Sequence, residues 1–162
     1  LLLLSLARHT VGIRVSPNSP CASQCQDTTR TASDDIVCED ADFTGTSAGT
    51  AWKSCMTCLQ NSTYSQGDES DQAWFLYNLR FSFDSCLFAY PNETDARSSP
   101  CQTSAACGPL QSALEYGNLS TISATVDGSG YCTASDGAVT GKFYEACLNC
   151  LSDGGSTNYI AN

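Results

Sequence analysis

Trp52-Lys53-Ser54-Cys55-Met56-Thr57-Cys58-Leu59 and Tyr144-Glu145-Ala146-Cys147-Leu148-Asn149-Cys150-Leu151 are one pattern written twice, an aromatic residue followed by x2-Cys-x2-Cys-Leu. In the first stretch Trp52, Cys55, Met56 and Leu59 fall at the spacing of a helix that buries one face. Phe143, Cys147, Cys150 and Leu151 do the same in the second. The correspondence continues upstream. Pro20-Cys21-x3-Cys25 and Cys38 are echoed by Pro100-Cys101-x5-Cys107 and Cys132, with an offset of 80 residues at the first cysteine and 92 at the last pair. This reads as a duplication with a spacer grown inside the second copy. The first copy closes on a sixth cysteine, Cys86, whose counterpart is expected after Asn162, so the odd total of 11 predicts a chain cut short with one cysteine unpaired.

Eleven cysteines in 162 residues approach the density of disulfide scaffolds. Units of about 80 residues bury little apolar surface for their size. Cross-links supply the difference, at about 2–4 kcal/mol each. The expected fold is therefore mainly α: a small disulfide-rich protein of two related helical units with long loops. Six cysteines per unit allow 15 connectivities, and spacing does not choose among them.

Organisation follows from composition. Leu1 to Leu4, Ser5, Leu6 and Ala7 read as the remnant of a secretory signal (1–7) that lacks its initiator Met. Residues 8–20, with Pro17 and Pro20 and no periodicity, predict a flexible arm. The first cysteine-rich repeat then spans 21–90, a linker 91–100, and the second repeat 101–162. Three sequons, at Asn61, Asn92 and Asn118, predict surface glycosylation. Together with the cysteines they point to an oxidising, extracellular setting, secreted or at the cell surface. No apolar run reaches about 18 residues, so no membrane segment is expected within these limits. Seven basic against seventeen acidic residues give a net charge of −10, which disfavours nucleic acid as a partner.

Helices are predicted over Ala51 to Leu59 and over Lys142 to Leu151, the latter stopped by Gly154-Gly155. Asp71 to Phe88 fits both an alternating strand and a helix. Its length of about 18 residues without Gly or Pro decides for a helix, capped by Asp68 or Ser70. A short helix is expected within Cys107 to Tyr116, and a short strand or extended loop at Ile122 to Val126, ahead of Asp127-Gly128-Ser129-Gly130.

The chemistry such residues permit is narrow. Cys55-x2-Cys58 and Cys147-x2-Cys150 have the spacing of redox pairs, but the strand that precedes such a motif in thioredoxin-like α/β chains is missing, and structural cystines are expected. Zinc is disfavoured because an exported chain oxidises its thiols, and no histidine accompanies them. His9, the only histidine, lies in the predicted arm, where no base can be held against a nucleophile. Asp34, Asp35, Glu39, Asp40 and Asp42, or Asp68, Glu69 and Asp71, offer carboxylates for a glycosidase or a weak calcium site. A solvated face or helix caps are the expected role. Haem ligation by Asp34, Asp35 or Asp40 does not follow from this cysteine arrangement. Trp52 and Trp74 are expected in the core, whereas Tyr64 and Tyr131, in polar surroundings, are open to sugar stacking. No catalytic residue, metal site or cofactor is predicted.

These motifs resemble a group of secreted fungal cysteine-rich proteins whose ectodomains carry a doubled aromatic-x2-Cys-x2-Cys-Leu pattern. Trp52 to Leu59, Ser70-Asp71 with Trp74 to Arg80, Ser99-Pro100-Cys101 and Phe143 to Leu151 carry the resemblance. In many similar proteins a Ser/Thr-rich stalk and a membrane anchor follow. The resemblance implies an ectodomain of a cell-surface or wall protein, and the expected function is that of a non-enzymatic, glycosylated domain that binds a carbohydrate or an extracellular protein. A freely secreted, effector-like protein is the alternative, and a carboxylate-dependent hydrolase a third.

Overall fold

A computed structural model describes residues 12–27, 29–91, 100–102, 105–117, 119 and 129–153. The chain enters as β1 (Ile13–Arg14), makes one helical turn as α1 (Ala22–Cys25), and returns as β2 (Gln26–Asp27). β2 lies parallel to β1, with Ile13 opposite Gln26. A 3-10 turn at Ser33–Asp35 leads to α2 (Asp40–Gly45) and α3 (Ser47–Asn61). A hairpin of β3 (Ser65–Gln66) and β4 (Glu69–Ser70) then feeds α4 (Asp71–Phe88). Beyond it come 3-10 turns at Pro100–Gln102 and Gly108–Leu110, α5 (Gln111–Leu114), a 3-10 turn at Gly130–Cys132, the single turn α6 (Ala134–Gly137) and α7 (Lys142–Asp153). The protein is a small, mainly α, disulfide-rich fold.

Local chemistry sets the helix limits. Thr46 Oγ1 accepts from the Gly49 N–H at 3.1 Å and caps α3, which starts four residues before the predicted Ala51. Gly49 also lets α2 and α3 touch, since a Cβ there would stand 2.1 Å from the Asp42 carbonyl oxygen. Ser70 caps α4 by accepting from the Ala73 N–H, and Ala89, left-handed at φ 58°, ends it. Asp71, Trp74, Asn78 and Phe81, three and four residues apart, are buried on one face of α4, the helical reading of a segment that also alternates like a strand.

Five disulfides divide into a set of three and a set of two, each with one nested pair. Cys21–Cys58 and Cys25–Cys55 tie α1 to α3, and Cys38–Cys86 ties the loop before α2 to α4. Cys101–Cys150 and Cys107–Cys147 tie the segment before α5 to α7 in the same nested order. Each Cys-x2-Cys pair thus bridges to another segment and not to itself.

Around each set lies a core. Ile13, Val15, Trp52, Met56, Leu59 and Trp74 pack on the first two disulfides. Leu87, Phe88, Leu110, Leu114, Ala138 and Leu151 pack on the last two. α4 serves both. At about 1.5 Å per residue its 18 residues span roughly 27 Å, with Trp74 in one core and Leu87 and Phe88 in the other. α4 thus joins the two cores through one continuous helix.

The arm predicted over 8–20 needs correction in its described part. Ile13 and Val15 are fully buried, and the Arg14 N–H donates to Thr31 Oγ1 at 3.0 Å while its carbonyl accepts from Asn78 Nδ2 at 2.8 Å. Three apolar or satisfied residues in a row anchor a segment that looked structureless because its partners lie up to 64 positions away. Residues 1–7, His9, Asn92, Asn118, the 122–126 segment and Gly154-Gly155 lie outside the described residues, as does most of the 91–100 linker.

Candidate functional site

Of the acidic residues weighed as ligands or catalysts, Glu69 and Asp71 are built into structure, while Asp68 is exposed. Glu69 accepts from Ser16 Oγ at 2.6 Å and lies 3.7 Å from the Arg14 guanidinium, which in turn covers the Trp74 ring at 4.4 Å. Asp71, fully buried, accepts from Ser19 Oγ at 2.8 Å. These carboxylates hold the N-terminal segment against α4. Asp34 and Asp35 sit on a 3-10 turn, and Asp40 and Asp42 in the first turn of α2 beside Glu39, where negative charge favours the helix N-terminus. Among the described residues no three His, Cys, Asp or Glu side chains are gathered as metal ligands.

The aromatic candidates separate. Trp52 and Trp74 are buried in the first core, as expected. Tyr64 is half-buried, its hydroxyl donating to Gln66 Oε1 at 2.6 Å, next to the hairpin. Tyr131 is half-buried beneath Arg80, whose guanidinium carbon lies 4.9 Å from the ring centroid. Asn61, the described sequon asparagine, is exposed at the end of α3, its side chain donating to the Thr57 carbonyl at 2.8 Å.

Tyr131 leads to the remaining feature. Cys132, next in the chain, is the free cysteine left by the five disulfides, and it is half-buried. It lines an open groove of about 180 Å³ between α4 and α7. From α4 come Leu76, Leu79 and Phe83; from the facing side come Tyr131, Cys132 and Tyr144. Leu110 and Leu114 continue the lining. Leu79 is 47 % exposed and Tyr144 46 %. The groove is smaller than a usual small-molecule pocket and its walls are mostly apolar, which is the form of a docking strip.

Arg80 supplies its charge. Burial lowers the pKa of the guanidinium, with Tyr131 acting in the opposite sense, and Arg80 Nε has no hydrogen-bond partner. Burial also raises the Tyr131 hydroxyl, with Cys132 adding to the rise. Of this site the sequence reading named Tyr131 and, as a disulfide partner, Cys132. Leu76, Leu79, Arg80 and Tyr144 were missed, though a signal is present: α4 carries apolar residues beyond the face that packs in the cores, and Leu76 and Leu79 stay exposed there.

No family model, curated protein or solved structure matches this chain. Five disulfides fit an extracellular or secreted protein. No helix of the described residues is long and apolar enough to cross a membrane.

Proposed function

We propose that this chain is a non-enzymatic, N-glycosylated domain of a fungal cell-surface or wall protein, and that it binds a polypeptide partner in the groove between α4 and α7. The observation that carries the binding role is the exposure of Leu79 and Tyr144 in one mostly apolar trough. Exposed large apolar groups gathered at one place mark contact surfaces, whereas scattered ones do not. The lining also favours protein over carbohydrate. A sugar needs hydrogen-bonding groups around a stacked ring, and here the six side chains of leucine, valine and phenylalanine outnumber the polar tips of Arg80, Thr140, Tyr131 and Tyr144.

Fluorescence polarisation against a panel of amphipathic helical peptides, run beside a panel of wall glycans, tests the proposal. Peptide binding that Leu79→Glu weakens by about tenfold or more is expected, the loss of one buried leucine being worth that much. Glycan binding alone, or peptide binding indifferent to Leu79→Glu, sinks it.

A further inference from the structure

Cys38 in the first half of the chain stands where Cys132 stands in the second, and what covers it is known. α4 crosses α3, places Trp74, Phe75 and Tyr77 in the core that buries Trp52, and closes Cys38–Cys86 with Cα atoms 5.5 Å apart. In the second half Tyr144 holds the position of Trp52, three residues before its Cys-x2-Cys pair, and Leu148 that of Met56. Trp52 is 3 % exposed and Met56 is buried; Tyr144 is 46 % exposed and Leu148 half-buried. The strip that a cysteine-bearing helix covers on α3 is thus open on α7, with a free thiol at its edge.

We infer that the groove takes an amphipathic α-helix carrying one cysteine, and that Cys132 captures this helix as a disulfide. The inference rests on the proposed polypeptide-binding role and names the partner's chemistry. Three properties of the site define that partner. Leu76, Leu79 and Phe83 on one wall and Tyr144 on the other demand apolar residues at three- and four-residue spacing. Arg80, lying on Tyr131 and so within one residue of the thiol, is the charged side chain of the lining and suits a carboxylate on the docked helix near its cysteine. Asp84 stands in that relation to Cys86 within α4. The free sulfur of Cys132 completes the set.

Capture proceeds by exchange when the helix cysteine arrives as a mixed disulfide with a small thiol such as glutathione. Cys132 gives up its proton, its sulfur bonds to the helix cysteine's sulfur, and the glutathione sulfur leaves with the electron pair of the broken bond and takes the proton. No further oxidant is consumed.

The test uses the whole chain and a synthetic peptide of residues 70–88, its single cysteine carried as the glutathione mixed disulfide. Mass mapping should place the new bond between Cys132 and the peptide cysteine, with the five native disulfides unchanged. The rate should exceed that of a scrambled peptide of the same composition roughly tenfold or more, because docking aligns the sulfurs before reaction. Leu79→Glu should bring it down to the scrambled rate. Equal rates for the two peptides, or Cys132–Cys132 dimers as the main product, overturn the inference. A cysteine-to-serine peptide separates the two ideas: if it binds in the groove while the cysteine form is not captured, capture is wrong and the binding role stands. If neither peptide binds, capture fails on this partner, while the binding role is decided by the wider peptide panel.

Discussion

Trp52 and Tyr144 stand three residues before a Cys-x2-Cys-Leu run, yet Trp52 is sealed between α3 and α4 while Tyr144 lies half in solvent on α7. Their energetic roles must differ accordingly. Trp52→Ala opens a cavity in the first core and is expected to cost about 3–5 kcal/mol. Tyr144→Ala removes a ring that still touches water and should cost less than about 1 kcal/mol. Urea unfolding with disulfides intact measures both, and comparable losses would show that the groove is closed in solution.

The nested pairing gives a second expectation. Alkylation of unreduced protein followed by peptide mapping should modify Cys132 and leave the other ten cysteines paired in the five bonds described. Replacing Cys25 and Cys55 together by alanine opens a bridge across 30 residues. With Cys21–Cys58 still closing the surrounding loop, loop entropy puts that loss at about 2.5 kcal/mol. A pair variant that unfolds at the same denaturant concentration as the parent contradicts the role assigned to this bond.

How far the sequence reaches is seen at particular residues. The helices around Cys55 and Cys147 were legible because apolar residues recur at helical spacing, and the one around Cys86 because its length without Gly or Pro exceeds a strand; both signals are local. Ile13 and Val15 were not, because two-residue strands have no period to detect and their contacts come from distant parts of the chain. The pairing of cysteines was hidden for the same reason: spacing limits which cysteines share a face and says nothing of which faces meet. The groove needed both kinds of information. Leu76 and Leu79 are visible as a second apolar face of α4, but only packing places them opposite Cys132.

Asn78 holds the N-terminal segment to α4 and gives a third prediction. Fully buried, it donates to the Arg14 carbonyl and accepts from Thr31 Oγ1, which itself accepts from the Arg14 N–H. Asn78→Ala leaves that carbonyl and that hydroxyl unsatisfied in a dry site, a loss of about 2–4 kcal/mol. Hydrogen exchange should report it locally as well as globally: amides of residues 13–16 should lose protection before those of α3. Uniform loss across the first core would mean that the segment is not held by this network.

The last prediction concerns alkaline pH. Tyr77 donates to the Leu119 carbonyl at 2.6 Å, and burial raises its pKa well above the usual tyrosine range, with Tyr90 adding to the rise and Arg80 and Arg14 opposing it. The native state therefore keeps a proton that the unfolded chain releases near pH 10, so the unfolded state binds fewer protons above that pH. Stability from this group is complete below about pH 10 and is lost as pH rises beyond it, with a slope approaching about 1.4 kcal/mol per pH unit for one proton. Tyr77→Phe should cost about 1 kcal/mol at neutral pH through the missing hydrogen bond and should flatten the decline between about pH 10 and 12. Urea midpoints collected across that range for parent and variant decide the matter: parallel curves would assign the alkaline loss to other groups, Tyr131 first among them, since burial raises it in the same direction.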